Sequence, residues 1–142
     1  MSDLSHPLAL DRRVLEECET LSFNGQATFP EVVARLAATG VERYCADLVK
    51  LEKYYYSPDG QSEVVPMPFQ YAPAIGMEWS INKIRAAIRD IQKGDIAYPE
   101  FLKRIMSAGV VYYDVFITGK KAIYTGRNGD FHVENFPTKE NR

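Results

Sequence analysis

Gly25-Gln-Ala-Thr-Phe-Pro-Glu-Val-Val-Ala-Arg-Leu-Ala-Ala-Thr-Gly-Val-Glu-Arg-Tyr44 recurs in kind as Gly94-Asp-Ile-Ala-Tyr-Pro-Glu-Phe-Leu-Lys-Arg-Ile-Met-Ser-Ala-Gly-Val-Val-Tyr-Tyr113. The offset is constant: Pro30 matches Pro99 just as Gly40 matches Gly109. It persists downstream, matching Tyr55 with Tyr124, Gly60 with Gly129, Val64 with Val133 and Pro68 with Pro137. Of the 44 positions from Gly25 to Pro68, eleven are identical to their counterparts. Ordinary residue usage gives roughly 2–3 by chance. Unrelated segments would lose register across four turns, so an internal duplication is expected. A repeat of this length constrains the architecture more firmly than any local pattern.

Each half reads as two helices followed by strands. Leu10, Val14, Cys18 and Leu21 recur at helical spacing, and Gly25 lies just past the end. Thr28 and Glu31 stand at capping-box spacing with Pro30 in the first turn. Val32, Val33 and Leu36 then form a buried face that Gly40 closes. In the second half, Ser80 opens a helix with Ile81, Ile84, Ile88 and Ile91 on one face. Pro99 and Glu100 open the next, which buries Phe101, Leu102, Ile105 and Met106.

After each Gly-Val the period becomes two. Tyr44, Ala46 and Leu48 point one way; Arg43, Cys45 and Asp47 point the other. Tyr113, Val115 and Ile117 match the first set, while Tyr112, Asp114 and Phe116 match the second. Asp59-Gly60 and Asn128-Gly129 are hairpin signals, and Thr118-Gly-Lys-Lys121 reads as a further turn. The predicted strands are 41–49, 51–57, 61–65, 110–118, 121–126 and 130–135. The expected fold is α+β: a two-layer sandwich built from an internal ααβββ duplication, with antiparallel sheet packed against four helices. One continuous sheet and two separate sheets both satisfy this pattern.

The expected organisation is a single domain over 1–142: a repeat half at 10–65, a connector at 66–79, a repeat half at 80–137 and a disordered tail at 138–142. The connector holds three prolines and a glycine, which exclude regular structure. It also carries Met67, Phe69, Tyr71, Ile75, Met77 and Trp79, too apolar for a solvated linker. It is expected to pack on the fold or against a partner.

Charge is balanced at −2, which weighs against a nucleic-acid partner. No apolar run is long enough to span a membrane, and Met1-Ser-Asp-Leu-Ser-His-Pro7 lacks the pattern of a signal peptide. Cys18 and Cys45 lie far apart. A reduced, cytoplasmic chain is the expectation.

The motifs Phe29-Pro-Glu, Gly40-Val41, Tyr54-Tyr-Tyr, Pro58-Asp-Gly60, Tyr98-Pro-Glu-Phe101, Ala108-Gly-Val110 and Tyr124-x-Gly-Arg-x-Gly129 occur in order. From about residue 10 to Pro137 the chain resembles the YbcV-like family of uncharacterised bacterial proteins, some prophage-borne and some labelled "phage envelope protein". That family is grouped with the YdfO-like proteins. The resemblance implies a two-layer α/β sandwich and carries over no activity, cofactor or catalytic residue. A phage accessory role against a host protein rests on the label alone.

Candidate chemistry is sparse. Glu31/Arg35 and Glu100/Arg104 are spaced as neighbours on helices, a structural pattern first. The nine tyrosines suit strand packing. His132 and Glu134 lie two apart on one strand face and could act as a general-base pair; a histidine on a solvated face is the plainer account. His6 is the only other histidine. No metal, phosphate-loop, Rossmann or nucleophile motif is present, so no cofactor and no metal are expected.

Identical positions of the two halves are caps, turns and core. An asymmetric site would use positions where the halves diverge: Cys45/Asp114, Asp47/Phe116, Glu52/Lys121, Glu63/His132 and Val65/Glu134. Asp47, Asp114, His132 and Glu134 are the catalytic candidates, expected to line a cleft with Tyr112. Tyr112, Phe69, Tyr71 and Trp79 are the binding candidates. The leading expectation is a small binding or interaction module, a homodimer or a binder of a protein partner through 66–79. The alternative is an enzyme using His132 with Asp114 or Glu134 on a small polar substrate.

Overall fold

A computed structural model describes residues 9–137. His6 and the expected tail at 138–142 lie outside the described residues. The elements run α1 (Arg12–Phe23), α2 (Phe29–Ala38), β1 (Arg43–Asp47), β2 (Glu52–Tyr56), β3 (Ser62–Pro66), α3 (Ile81–Gln92), α4 (Tyr98–Ser107), β4 (Val110–Phe116), β5 (Lys121–Gly126) and β6 (Phe131–Asn135). Each helix of the first half, and each of β2 and β3, starts at the repeat offset from its counterpart in the second.

The strands form one antiparallel sheet in the order β3-β2-β1-β4-β5-β6. The two meanders are joined by pairing of β1 with β4, where Arg43 faces Phe116, Cys45 faces Asp114 and Asp47 faces Tyr112. Cys45 and Asp114 are themselves counterparts under the repeat. They therefore lie where a pseudo-two-fold axis crosses the sheet. A register irregularity between Val110 and Tyr112 marks the entry to β4.

The helices cover one face. Tyr44, Ala46, Tyr55, Val65, Tyr113, Val115, Ala122 and Tyr124 are buried in a single core with Leu15, Leu36, Ile84, Ile88, Leu102 and Ile105 from the helices. Their strand neighbours, of opposite parity, point to a second face that carries no helix. The halves interlock: Tyr98 of α4 meets Phe23 of α1 edge to face at 5.3 Å, and Phe29 of α2 meets Phe136 beyond β6 at 5.2 Å.

Apart from Pro66, which ends β3, the connector has no helix or strand, and it packs against the chain itself. Phe69 meets Phe23 at 5.5 Å. The Gly76 N–H donates to the Met106 carbonyl at 2.9 Å, and the Ser80 N–H to that of Ala108 at 2.9 Å. Gly109 turns with φ 101°, and a Cβ there would stand 2.6 Å from the Glu78 carbonyl. Glycine at this site thus serves both the left-handed turn and the close approach of the connector. In the β1–β2 and β4–β5 hairpins the left-handed residues are Leu51 and Lys120, each at φ 58°. The turn expected at Thr118–Lys121 thus has Lys120 as its left-handed residue.

The helix pairs correct one expectation. Arg35 and Arg104 do not pair with the glutamates one turn before them. Arg35 reaches Glu17 on α1, and Arg104 reaches Asp90 on α3 at 2.8 Å. Side-by-side packing of each helix pair brings those carboxylates closer, and the Glu31 carboxylate is already taken by the Thr28 N–H at 2.7 Å.

That capping box closes the start of α2, with Thr28 Oγ1 accepting from the Glu31 N–H. At the equivalent position α4 has Ala97 and no side-chain cap, although Glu100 stands ready at the third position. Ala97 is exposed. Ala97→Thr should complete a second box and raise unfolding stability in urea by about 1 kcal/mol; Thr28→Ala should lower it by about the same amount.

Candidate functional site

The sheet separates the expected site residues. Asp47, Tyr112 and Asp114 lie on the open face, brought together by the β1–β4 register. His132 and Glu134 lie on the helix side, because His132 pairs with Tyr124 and Glu134 with Ala122, both buried there. The cleft expected to unite Asp47, Asp114, His132 and Glu134 with Tyr112 therefore does not form. A two-residue repeat assigns each strand two faces, and register alone decides which face meets the helices.

His132 and Glu134 do meet: Nε2 is 3.0 Å from Oε1, with side chains 12% and 33% exposed. The imidazole stacks beside Tyr124 at 6.3 Å. The histidine thus sits under the rim of the helix layer, not on a solvated face. It is the apolar Phe131 and Val133 of this edge strand that point outward and are exposed.

At the seam, the Cys45 thiol stands directly across from the Asp114 carboxylate. Burial, reinforced by that carboxylate, pushes the thiol up to about 12, so it is a poor nucleophile at neutral pH. Burial also raises the Asp114 carboxyl, against the pull of Cys45 and Arg43. Arg43 lies 4.1 Å from the centre of the Tyr56 ring on the neighbouring strand. Asp47 Oδ1 accepts from the Val49 and Lys50 N–H groups, both at 3.0 Å, and so shapes the β1–β2 turn.

Of the connector's aromatic candidates, Phe69 and Trp79 are partly buried against the core. Gly126 lies so close to the Trp79 indole that a Cβ would stand 2.7 Å from it. Tyr71 is 84% exposed. Packing within the chain thus takes up two of the side chains expected to serve a partner, because the connector must bridge two halves that share one core.

One polar group escaped the sequence reading. Lys53 Nζ lies 2.6 Å from Glu19 Oε1, with side chains 4% and 2% exposed. The ammonium stands 4.5 Å from the Tyr98 ring centre and 5.4 Å from that of Tyr44. Desolvation disfavours its charge, but the attraction of Glu19 prevails and holds the lysine well above its ordinary range. The Tyr98 and Tyr113 hydroxyls bond to each other, and burial drives both phenols well up. Glu19 Oε2 has no protein hydrogen-bond partner. The counterparts of Glu19 and Lys53 are Ile88 and Ala122, an apolar pair buried at the same place in the other half. Comparison of the two halves contains this signal: Lys53 alternates with inward-facing Tyr55, and its counterpart is uncharged.

Two shallow depressions lie elsewhere. One of about 440 Å³ is lined by Arg43, Phe116, Lys121 and Ile123 at one end of the open face. The other, about 300 Å³, lies between α3 and α4 with Lys83, Glu100, Lys103 and Arg104. Neither includes His132, Glu134 or Asp114. Among the described residues no group of three or more His, Cys, Asp or Glu side chains is placed to hold a metal, and no helix is long and apolar enough to cross a membrane. No protein-family model matches the chain, and no curated protein matches it.

Lys53→Met should cost about 3–5 kcal/mol in urea unfolding, because it strands the Glu19 charge in the core; Glu19→Leu combined with Lys53→Met should recover most of that loss. Asp114 gives a pH test. Its native form holds the proton more tightly than the unfolded chain, so its contribution falls as pH rises through the raised value. Asp114→Asn should therefore raise the melting temperature at pH 7, and the gain should shrink as pH falls toward the ordinary aspartate range.

Proposed function

We propose that the protein is a small, non-catalytic cytoplasmic interaction module that works through the open face of its sheet. The observation that carries this reading is a continuous row across all six strands of that face, in which Val64, Tyr54, Ile123 and Val133 flank the Cys45–Asp114 pair. Helix-free sheet faces of monomeric domains are ordinarily polar, and an apolar band on such a surface marks a contact site. The connector adds exposed Tyr71 and Met77, at 84% and 72%. The motifs quoted above support membership of the YbcV-like and YdfO-like group. The common offset between the starts of α1, α2, β2 and β3 and those of their counterparts supports an origin by duplication.

A second reading is acid–base chemistry on a small polar substrate by His132 with Glu134, supported by their 3.0 Å contact. Asp114 has no part in it, since the sheet lies between them.

Capture from bacterial lysate tests the leading reading. The wild-type chain and Ile123→Lys are used as baits, with circular dichroism to verify that the variant is folded. Proteins held by the wild type and lost from Ile123→Lys are the expected result. Identical retention by both baits would overturn the reading.

A further inference from the structure

The open face has an electrostatic order along its strands. At the end beside the β1–β2 hairpin it carries Asp47 and Glu52, which are cross-strand neighbours. At the opposite end it carries Arg43 and Lys121, on either side of Phe116. The apolar row runs between. Lys50 also reaches the acidic end, with its ammonium 5.7 Å from the Tyr54 ring centre, and Asp114 lies at the centre. The strand residues of this face are segregated, Asp47 and Glu52 at one end and Arg43 and Lys121 at the other, while Lys50 beside the first pair and Glu42 beside the second offset part of each charge.

We propose that the open face binds a second copy of this chain, sheet on sheet, about a two-fold axis that crosses the strands. The proposal rests on the reading of this face as an interaction surface and names its occupant. Rotation about such an axis lays each strand over its own copy in the opposite direction. It exchanges the two charged ends, so Asp47 meets the partner's Arg43 twice, once from each chain. Val64, Tyr54, Ile123 and Val133 meet themselves, apolar on apolar. Aligned sheets cross at about 30°, so the match is tightest at the centre. An axis along the strands would instead lay basic end on basic end.

The area suffices. Six strands about 4.8 Å apart and about five residues long present a flat footprint of roughly 500 Å². Two such faces reach the roughly 1,000 Å² that a specific interface requires. The arrangement has one unfavourable contact: Asp114 faces Asp114 of the second copy. Its charge is already disfavoured by burial, and the opposing carboxylate disfavours it further. This cost makes the orientation testable.

Sedimentation equilibrium from about 1 to 200 μM reads the result. The full chain should dimerise, and Ile123→Lys should abolish the dimer while keeping its circular dichroism spectrum. Val133→Lys, on the exposed edge strand, serves the same test if the first variant does not fold. Asp114→Asn should tighten the dimer by about tenfold through removal of the like-charge contact. A monomer over the whole range, or a dimer indifferent to both lysine variants, overturns the proposal. A dimer that the lysine variants split but Asp114→Asn leaves unchanged overturns the orientation across the strands. A monomer whose capture of other proteins still depends on Ile123 overturns the self-association alone and leaves the interaction surface standing. A monomer whose capture ignores Ile123 overturns both.

Discussion

The pairing of β1 with β4 is the contact on which the other features depend. A three-stranded meander with two helices is too small a unit to bury a stable core alone. The seam from Arg43/Phe116 to Asp47/Tyr112 turns two such units into one six-stranded sheet. The helix side becomes one continuous core, and Tyr98 and Phe29 cross over to pack on the opposite half. The same seam makes the open face continuous. It also sets Cys45 against Asp114, so the two polar groups face each other at the centre of an otherwise apolar row.

The core is symmetric in shape but not in charge. One half buries Glu19 against Lys53; the other buries Ile88 and Ala122 at the equivalent positions. A buried ion pair is weak evidence for stability, since an apolar pair of similar volume often does as well. Its use here is better sought in registry. Two similar halves offer α1 two similar places to dock, and only the site over β2 presents an ammonium to the Glu19 carboxylate. Docking over β5 would leave that charge buried against Ala122. The Tyr98–Tyr113 hydroxyl pair ties α4 to β4 in the same region.

The helices, their caps, the hairpin turns and the two faces of each strand were readable because each rests on local spacing. Thr28 with Glu31, Ser80, and the alternation Tyr44-Ala46-Leu48 are examples. The site was less readable. Asp47, Asp114 and Tyr112 follow from strand parity, and they do share a face. His132 and Glu134 obey the same parity rule, yet they face inward while Phe131 and Val133 face out. On an edge strand the usual apolar-in pattern is weak, and the cross-strand partners Tyr124 and Ala122 decide. Lys53 was overlooked because a lone lysine in a strand reads as solvated unless its face and its counterpart are weighed together.

What the sequence determined by itself was the constant-offset similarity between its two halves, the helix–helix–strand order of each, and the division of every strand into two faces. These depend on residues near one another in the chain. The tertiary structure decided that β1 and β4 join the halves into one sheet, that one face stays open, that the connector turns Phe69 and Trp79 into the chain's own core, and that Glu19 meets Lys53. Each of these is a contact between residues far apart in the chain. Which distant surfaces meet is set by the packing of the whole core, a quantity that no local pattern encodes.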